Sequence, residues 1–180
     1  MYMSVLKSAP NAANVTASWH RAGDNQADFP AGIGQVGGQG TLYFALSDAR
    51  LNEADMLGCE AVDIGDVSGV LRLDEVAFPV GSIAHRHTHT GAGWRHLVSG
   101  ALRIETDHGA QIMEAGMSWF EPSDSPVRAV ALQDSGVTRF VRCMVIPQEF
   151  MGRSTFQLCD PKDAELPRLQ VTHRHFDHIL

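Results

Sequence analysis

Between residues 69 and 146 the chain is a succession of short apolar and β-branched runs, each closed by Gly, Pro, Asp or Ser. The runs cover 70–78, 94–106 (broken at Gly100), 110–114, 117–120, 127–132 and 138–146. Breaks this close together exclude long helices. Strands recurring at roughly ten-residue spacing predict an antiparallel barrel or sandwich. Asp107-His108-Gly109 between two runs predicts a tight hairpin.

The flanks read differently. Residues 1 to about 40 are rich in Ala, Asn, Gly and Ser, and are expected to be an irregular arm. Gly32, Gly34, Gly37, Gly38 and Gly40 are no phosphate loop, because no run of strand character precedes them and no Lys-Ser/Thr follows. Residues 41–45 suit a short strand. Residues 47–57 suit one helix, with Ser47 as N-cap and Gly58 just beyond its end. After Pro147 the strand rhythm fades, and Pro161 and Pro167 mark a loop-rich tail. The expected organisation is one globular domain: an arm over 1–66, a barrel over 67–152 and an extension over 153–180.

Composition narrows the partners. The 180 residues carry a formal net charge of -7 and no Lys/Arg cluster, so nothing in them suits nucleic acid or an anionic membrane. No apolar run approaches the ~20 residues that span a bilayer. The first ten residues do not read as a signal peptide. Three cysteines, an odd number with no close pair, fit buried thiols in a reducing, cytoplasmic setting.

The nine histidines are unevenly placed. His85, His87 and His89 alternate with Arg86 and Thr88, and strand periodicity would turn all three imidazoles to one face. One such histidine would be a polar strand end. Three in alternation before a glycine-rich bend predict a site for one divalent metal, Fe, Mn, Ni or Zn. His173, His175 and His178 in the tail offer either a second metal site or a cover for the barrel mouth.

The residues around His87 and His89 resemble the first motif of the cupin superfamily. Gly81, five residues, His87-Thr88-His89, then Gly93 and Gly100 follow its spacing. Gly93 stands where the motif has its glutamate ligand. Gly116, five residues and Pro122 begin to match the second motif, but Asp124, Val127 and Ala131 replace its glycine, histidine and asparagine. The resemblance spans residues 68–152. It implies an all-β, cupin-type double-stranded β-helix (a jelly-roll barrel), two of four usual ligands at His87 and His89, and His85 as a possible substitute. In the family register Arg95 points inward, able to grip an anion beside the metal. Glu121 lies near the missing histidine, as a ligand or base. Trp119 is either barrel packing or part of a substrate wall, and His96 should face outward.

The function this implies is a metal-dependent enzyme, foremost an oxygenase acting on a small anionic or enolisable compound through Glu121 and Arg95. Metal-dependent isomerase, lyase or cyclase chemistry is equally open to the fold. A second class is a non-catalytic binder or sensor of small molecules, which the two missing ligands would suit. Exposed edge strands make a homodimer the expected assembly.

Overall fold

The structure, a computed structural model, describes residues 1–22, 32–63 and 68–180. The parts of the expected arm at 23–31 and 64–66, and its boundary with the barrel, lie outside them.

The N-terminal segment is a sheet. Strands β1 (Tyr2–Leu6), β2 (Val15–Arg21), β3 (Gly32–Val36), β4 (Leu42–Ser47) and β5 (Met56–Ala61) pair in the order β3-β2-β4-β1-β5. The strand expected over 41–45 is present as β4. The helix expected over 47–57 is not formed: after β4 the chain loops through residues 48–55 and enters β5. Propensity favoured a helix there, but β1 offers an unpaired edge, and β5 takes it from Met56 to Ala61. The arm expected to be irregular is likewise ordered by pairing and packing. Met3, Val5, Phe44 and Leu46 are buried with Leu71, Leu73, Trp94 and Cys143 of the barrel.

The barrel strands are β6 (Gly69–Pro79), β7 (Ile83–His89), β8 (Ala92–Ser99), β9 (Ala101–Thr106), β10 (Gly109–Glu114), β11 (Ser118–Glu121), β12 (Val127–Ala131) and β13 (Val137–Pro147). The expected hairpin joins β9 to β10: Thr106 faces Gly109 across Asp107 and His108. The tail is not loop-rich. Two short 3-10 turns, Gln148–Phe150 and Pro161–Glu165, alternate with β14 (Phe156–Leu158) and β15 (Val171–Ile179). These strands extend two antiparallel sheets, ordered β10-β9-β12-β7-β14 and β11-β8-β13-β6-β15. From β6 to β9 successive strands change sheet, and they do so again from β10 to β15. This is the winding of a jelly-roll barrel, the double-stranded β-helix.

The molecule thus has three layers, with the β11-β8-β13-β6-β15 sheet in the middle. Its outer side packs on the N-terminal sheet. Its inner side, through Val76, Phe78, Leu97, Trp119 and Phe140, meets Ile104, Val127 and Ala129 of the third layer. Covered on both faces, β6 and β13 are buried along almost their whole length, charged residues included.

A buried carboxylate makes a polar connection across the outer interface. Glu75 of β6 is buried, and its Oε1 accepts from Trp19 Nε1 at 2.6 Å and lies 2.7 Å from His175 Nε2. His175 reaches it because β15 bulges between Arg174 and Phe176. The tail histidines therefore do not form a metal cluster: His175 ties the tail to both layers, and His173 packs edge-on against its ring. Glu75→Ala should lower stability by about 1–3 kcal/mol for each buried donor left without an acceptor. Urea denaturation checks this. A midpoint unchanged from the parent would show that the connection contributes nothing.

Candidate functional site

A cavity of about 440 Å³ lies between the middle sheet and the third layer, within the range of small-molecule sites. One part is apolar, lined by Val76, Phe78, Ile104, Trp119 and Phe140. Another is strongly polar, holding His87, His89, Arg95, Glu121, Asp74 and Arg142.

The histidines arrive on β7, but not as alternation alone predicts. Val127 of β12 faces His87, whereas Ala129 faces Ala84. β7 therefore spends three residues where β12 spends two, and the extra residue breaks the parity. Ala84, His87 and His89 line the cavity. His85 does not join them, and its Nε2 stands 3.2 Å from the Pro167 carbonyl oxygen.

The missing glutamate has a steric cause. A Cβ at Gly93 would stand 2.1 Å from the Cys143 carbonyl oxygen, so no side chain fits there. A carboxylate enters from the neighbouring strand instead, since Glu121 is the cross-strand partner of Gly93. Glu121 is already engaged. Its Oε2 lies 2.8 Å from Arg95 Nη2, and its Oε1 accepts from Trp119 Nε1 at 2.8 Å. Arg95 points inward and is fully buried, with Nη1 donating to the Gly93 carbonyl. Burial lowers its guanidinium to about 10, against the pull of Glu121.

Sequence reading missed the second buried pair. Arg142 donates through Nε and Nη2 to the two oxygens of Asp74, each at 2.8 Å. The two residues face each other across β13 and β6. Burial opposes the Arg142 charge, but Asp74 outweighs it and raises the guanidinium above its ordinary value. The signal was present: charged residues inside otherwise apolar strands are buried only when paired. Phe156 left no such signal. It stacks on His87 with ring centroids 4.3 Å apart, because β14 pairs with β7.

The imidazoles are held by their neighbours. His87 Nδ1 lies 2.7 Å from the His85 carbonyl, to which it can only donate, leaving its Nε2 as an acceptor. His89 Nδ1 contacts Thr155 Oγ1 at 3.2 Å, and its Nε2 accepts from Arg142 Nη1 at 3.1 Å. The two Nε2 atoms are 3.2 Å apart. Burial lowers His87 from 6.5 to about 4. Burial, then Arg142 and Arg95, holds His89 well below 6.5. Both rings are neutral near pH 7.

Two neutral Nε2 atoms at that separation could share an ion bound at ~2.0–2.1 Å. The remainder of a metal shell does not follow. Val127 is apolar where the second motif has histidine, Glu121 is held by Arg95 and Trp119, and a guanidinium occupies the approach to His89. Among the described residues, no three His, Cys, Asp or Glu side chains converge on one point. The residues present make part of a divalent-metal site and do not fit a complete one. They suit negative charge better, since five arginines line the cavity and only three carboxylates among the described residues, Asp74, Glu121 and Asp177, pair with them.

Other candidates lie elsewhere. His96 faces away from the cavity, its Nδ1 2.8 Å from Ser118 Oγ. His108 is exposed in the β9–β10 turn. Trp94 packs between the first two layers and donates to the Met3 carbonyl at 2.9 Å. Cys59 and Cys143 are buried, whereas Cys159 is exposed, and none forms a disulfide. Burial pushes the Cys143 thiol far up, so it stays protonated and inert.

By its strand order and its cavity between facing sheets, the chain has the double-stranded β-helix fold. Solved structures to which it is similar include two described as cupins and one described as a cyclase. One is a cupin domain from Bordetella pertussis Tohama I, at 22% identity over 47% of this chain and 88% of that one, with a TM-score of 0.37. Another is an RmlC-like cupin from Shewanella frigidimarina, at 20% identity over 50% and 86%, with a TM-score of 0.39. The polyketide cyclase RemF from Streptomyces resistomycificus is 20% identical over 59% and 75%, with a TM-score of 0.38. No family model matches the chain, and no curated protein matches it. No helix among the described residues is long and apolar enough to cross a membrane.

Two measurements probe the site's energetics. Asp74→Ala should cost about 3–5 kcal/mol by stranding buried Arg142, whereas Asp74→Leu with Arg142→Met should cost far less. Equal losses in the two variants would mean that the pair is not buried as described. The lowered histidines also set a pH dependence. Above 6.5 both folded and unfolded states carry neutral rings; between 6.5 and about 4 only the unfolded state takes up protons at His87. Their contribution is therefore complete above the unfolded pKa and is lost as pH falls towards the folded one. The urea midpoint should drop from pH 7 to pH 5, and a flat profile would contradict neutral burial.

Proposed function

We propose that the barrel cavity binds a small organic anion with an apolar body. The supporting observation is the polar lining: buried Arg95 and Arg142 stand beside two neutral imidazoles, with more arginines than carboxylates around them. The apolar side chains of Phe78, Ile104, Trp119 and Phe140 would take the rest of the ligand. A carboxylate entering here would replace the neutral acceptors of Arg95 Nη1 and Arg142 Nη1, the Gly93 carbonyl and His89 Nε2, with a charged one in a buried setting, where charge-assisted hydrogen bonds are strong. Neutral rings with acceptor Nε2 atoms can also take up a proton, so the chemistry the site could add to binding is proton transfer on an enolisable anion. The metal-dependent oxygenase implied by the first motif would need a third ligand that these residues do not supply.

Calorimetry on untagged protein tests this reading, comparing hexanoate and benzoate with their neutral amides. The acids should bind roughly tenfold or more tightly than the amides. Arg95→Leu with Glu121→Leu removes a buried pair without stranding a charge, and should lose that preference while staying folded. Equal affinity for acids and amides would sink the proposal. So would stoichiometric metal in the purified protein that disappears in His87→Ala/His89→Ala, which would restore the metal-dependent reading.

A further inference from the structure

The tail supplies a wall of the cavity that the site as described leaves unused. Gln170, just before β15, and Thr172 and Arg174 within it all line the cavity, the latter two at the two-residue interval by which a strand presents one face. Buried polar atoms without a hydrogen-bond partner are few in native proteins and call for an explanation. Two of those found among the described residues, Arg174 Nε and Gln170 Oε1, belong to this strip. The Gln170 amide can be turned about, which would present a donor in place of that oxygen.

The charge there is also incompletely matched. Asp177 is the nearest carboxylate on the same strand, but Arg72 holds it through Nε at 2.7 Å and Nη2 at 2.8 Å. Arg174 Nη1 makes only a longer ion pair with it, at 3.6 Å, and Arg174 Nη2 donates to the Arg153 carbonyl. Arg168 approaches the cavity from the segment before β15, over the face of Phe156 at 5.6 Å.

The register separates this wall from the first cationic group. Arg142 and Arg174 are cross-strand partners of Asp74 on its two sides. Their backbones therefore lie on the order of 10 Å apart, two strand spacings. Arg142 and Arg95 serve one end of such a span and the β15 strip the other.

We infer that the ligand is an organic dianion, with its second acidic group on the inner face of β15 against Arg174 and Gln170. This rests on the anion-binding reading above and names the class of anion.

The test compares dicarboxylates from succinate to suberate with monocarboxylates of equal carbon number, by calorimetry on the full chain. At least one diacid should bind about tenfold or more tightly than its matched monoacid, as a second charge-assisted contact would give. In Arg174→Gln that diacid should fall to the level of the monoacid, whose own affinity should not change. Gln170→Leu should shift affinities in the same direction and guards against a fold defect in the first variant. If monoacids bind and no diacid binds better, the dianion inference is overturned while the anion site stands. If Arg174→Gln weakens monoacids and diacids equally, the second subsite is likewise refuted. If no carboxylate of either series binds, both readings fall.

Discussion

Arg142 and Asp74 face each other from adjacent strands of a sheet covered on both sides, and both charges are almost wholly buried. Ionised groups in that position persist only when each satisfies the other. The bidentate contact does so, and it fixes more than itself. It leaves Nη1 of Arg142 to donate to His89, and that contact makes Nε2 of His89 an acceptor. Asp74 also stands in the register row between Arg142 and Arg174.

A second buried pair has a different origin. β13 approaches β8 so closely at Gly93 that no Cβ is tolerated. The carboxylate near the histidines is then Glu121, on the strand beside Gly93, where it meets Arg95 rather than a shared ion. The same barrel position that implies a metal ligand by resemblance has become part of a guanidinium–carboxylate pair. Local packing of backbone on backbone has thereby changed the chemistry available at the centre of the cavity.

The outer segments complete what the barrel leaves open. The N-terminal sheet covers the face of β6 and β13 that would otherwise expose Leu71, Leu73, Trp94 and Val141. The tail adds a strand to an edge of each barrel sheet, so β6 and β7 are no longer edges. In doing so it brings Phe156 onto His87 and the Gln170–Arg174 strip into the cavity. Glu75 joins these two additions through Trp19 and His175.

Strand content, the spacing of the breaks and the β9–β10 hairpin were legible in the residues from 69 to 146, because period-two patterning and turn chemistry are local. The inward aim of His87, His89 and Arg95 was legible as well, from alternation and the resemblance of the first motif. What followed from contacts between distant segments was not. The bulge that turns His85 away depends on how β12 registers against β7. The order of residues 1–22 and 32–63 depends on a sheet that packs on the barrel, and β5 forms where local propensity favours a helix because β1 offers it an edge. Arg142 and Asp74 were visible as charges in apolar strands, but their pairing depends on a register between residues far apart in the chain. The sequence alone therefore determined the barrel and two of its inward histidines. Only the tertiary structure decided that those histidines face guanidinium groups, because long-range register and backbone approach cannot be read from local pattern.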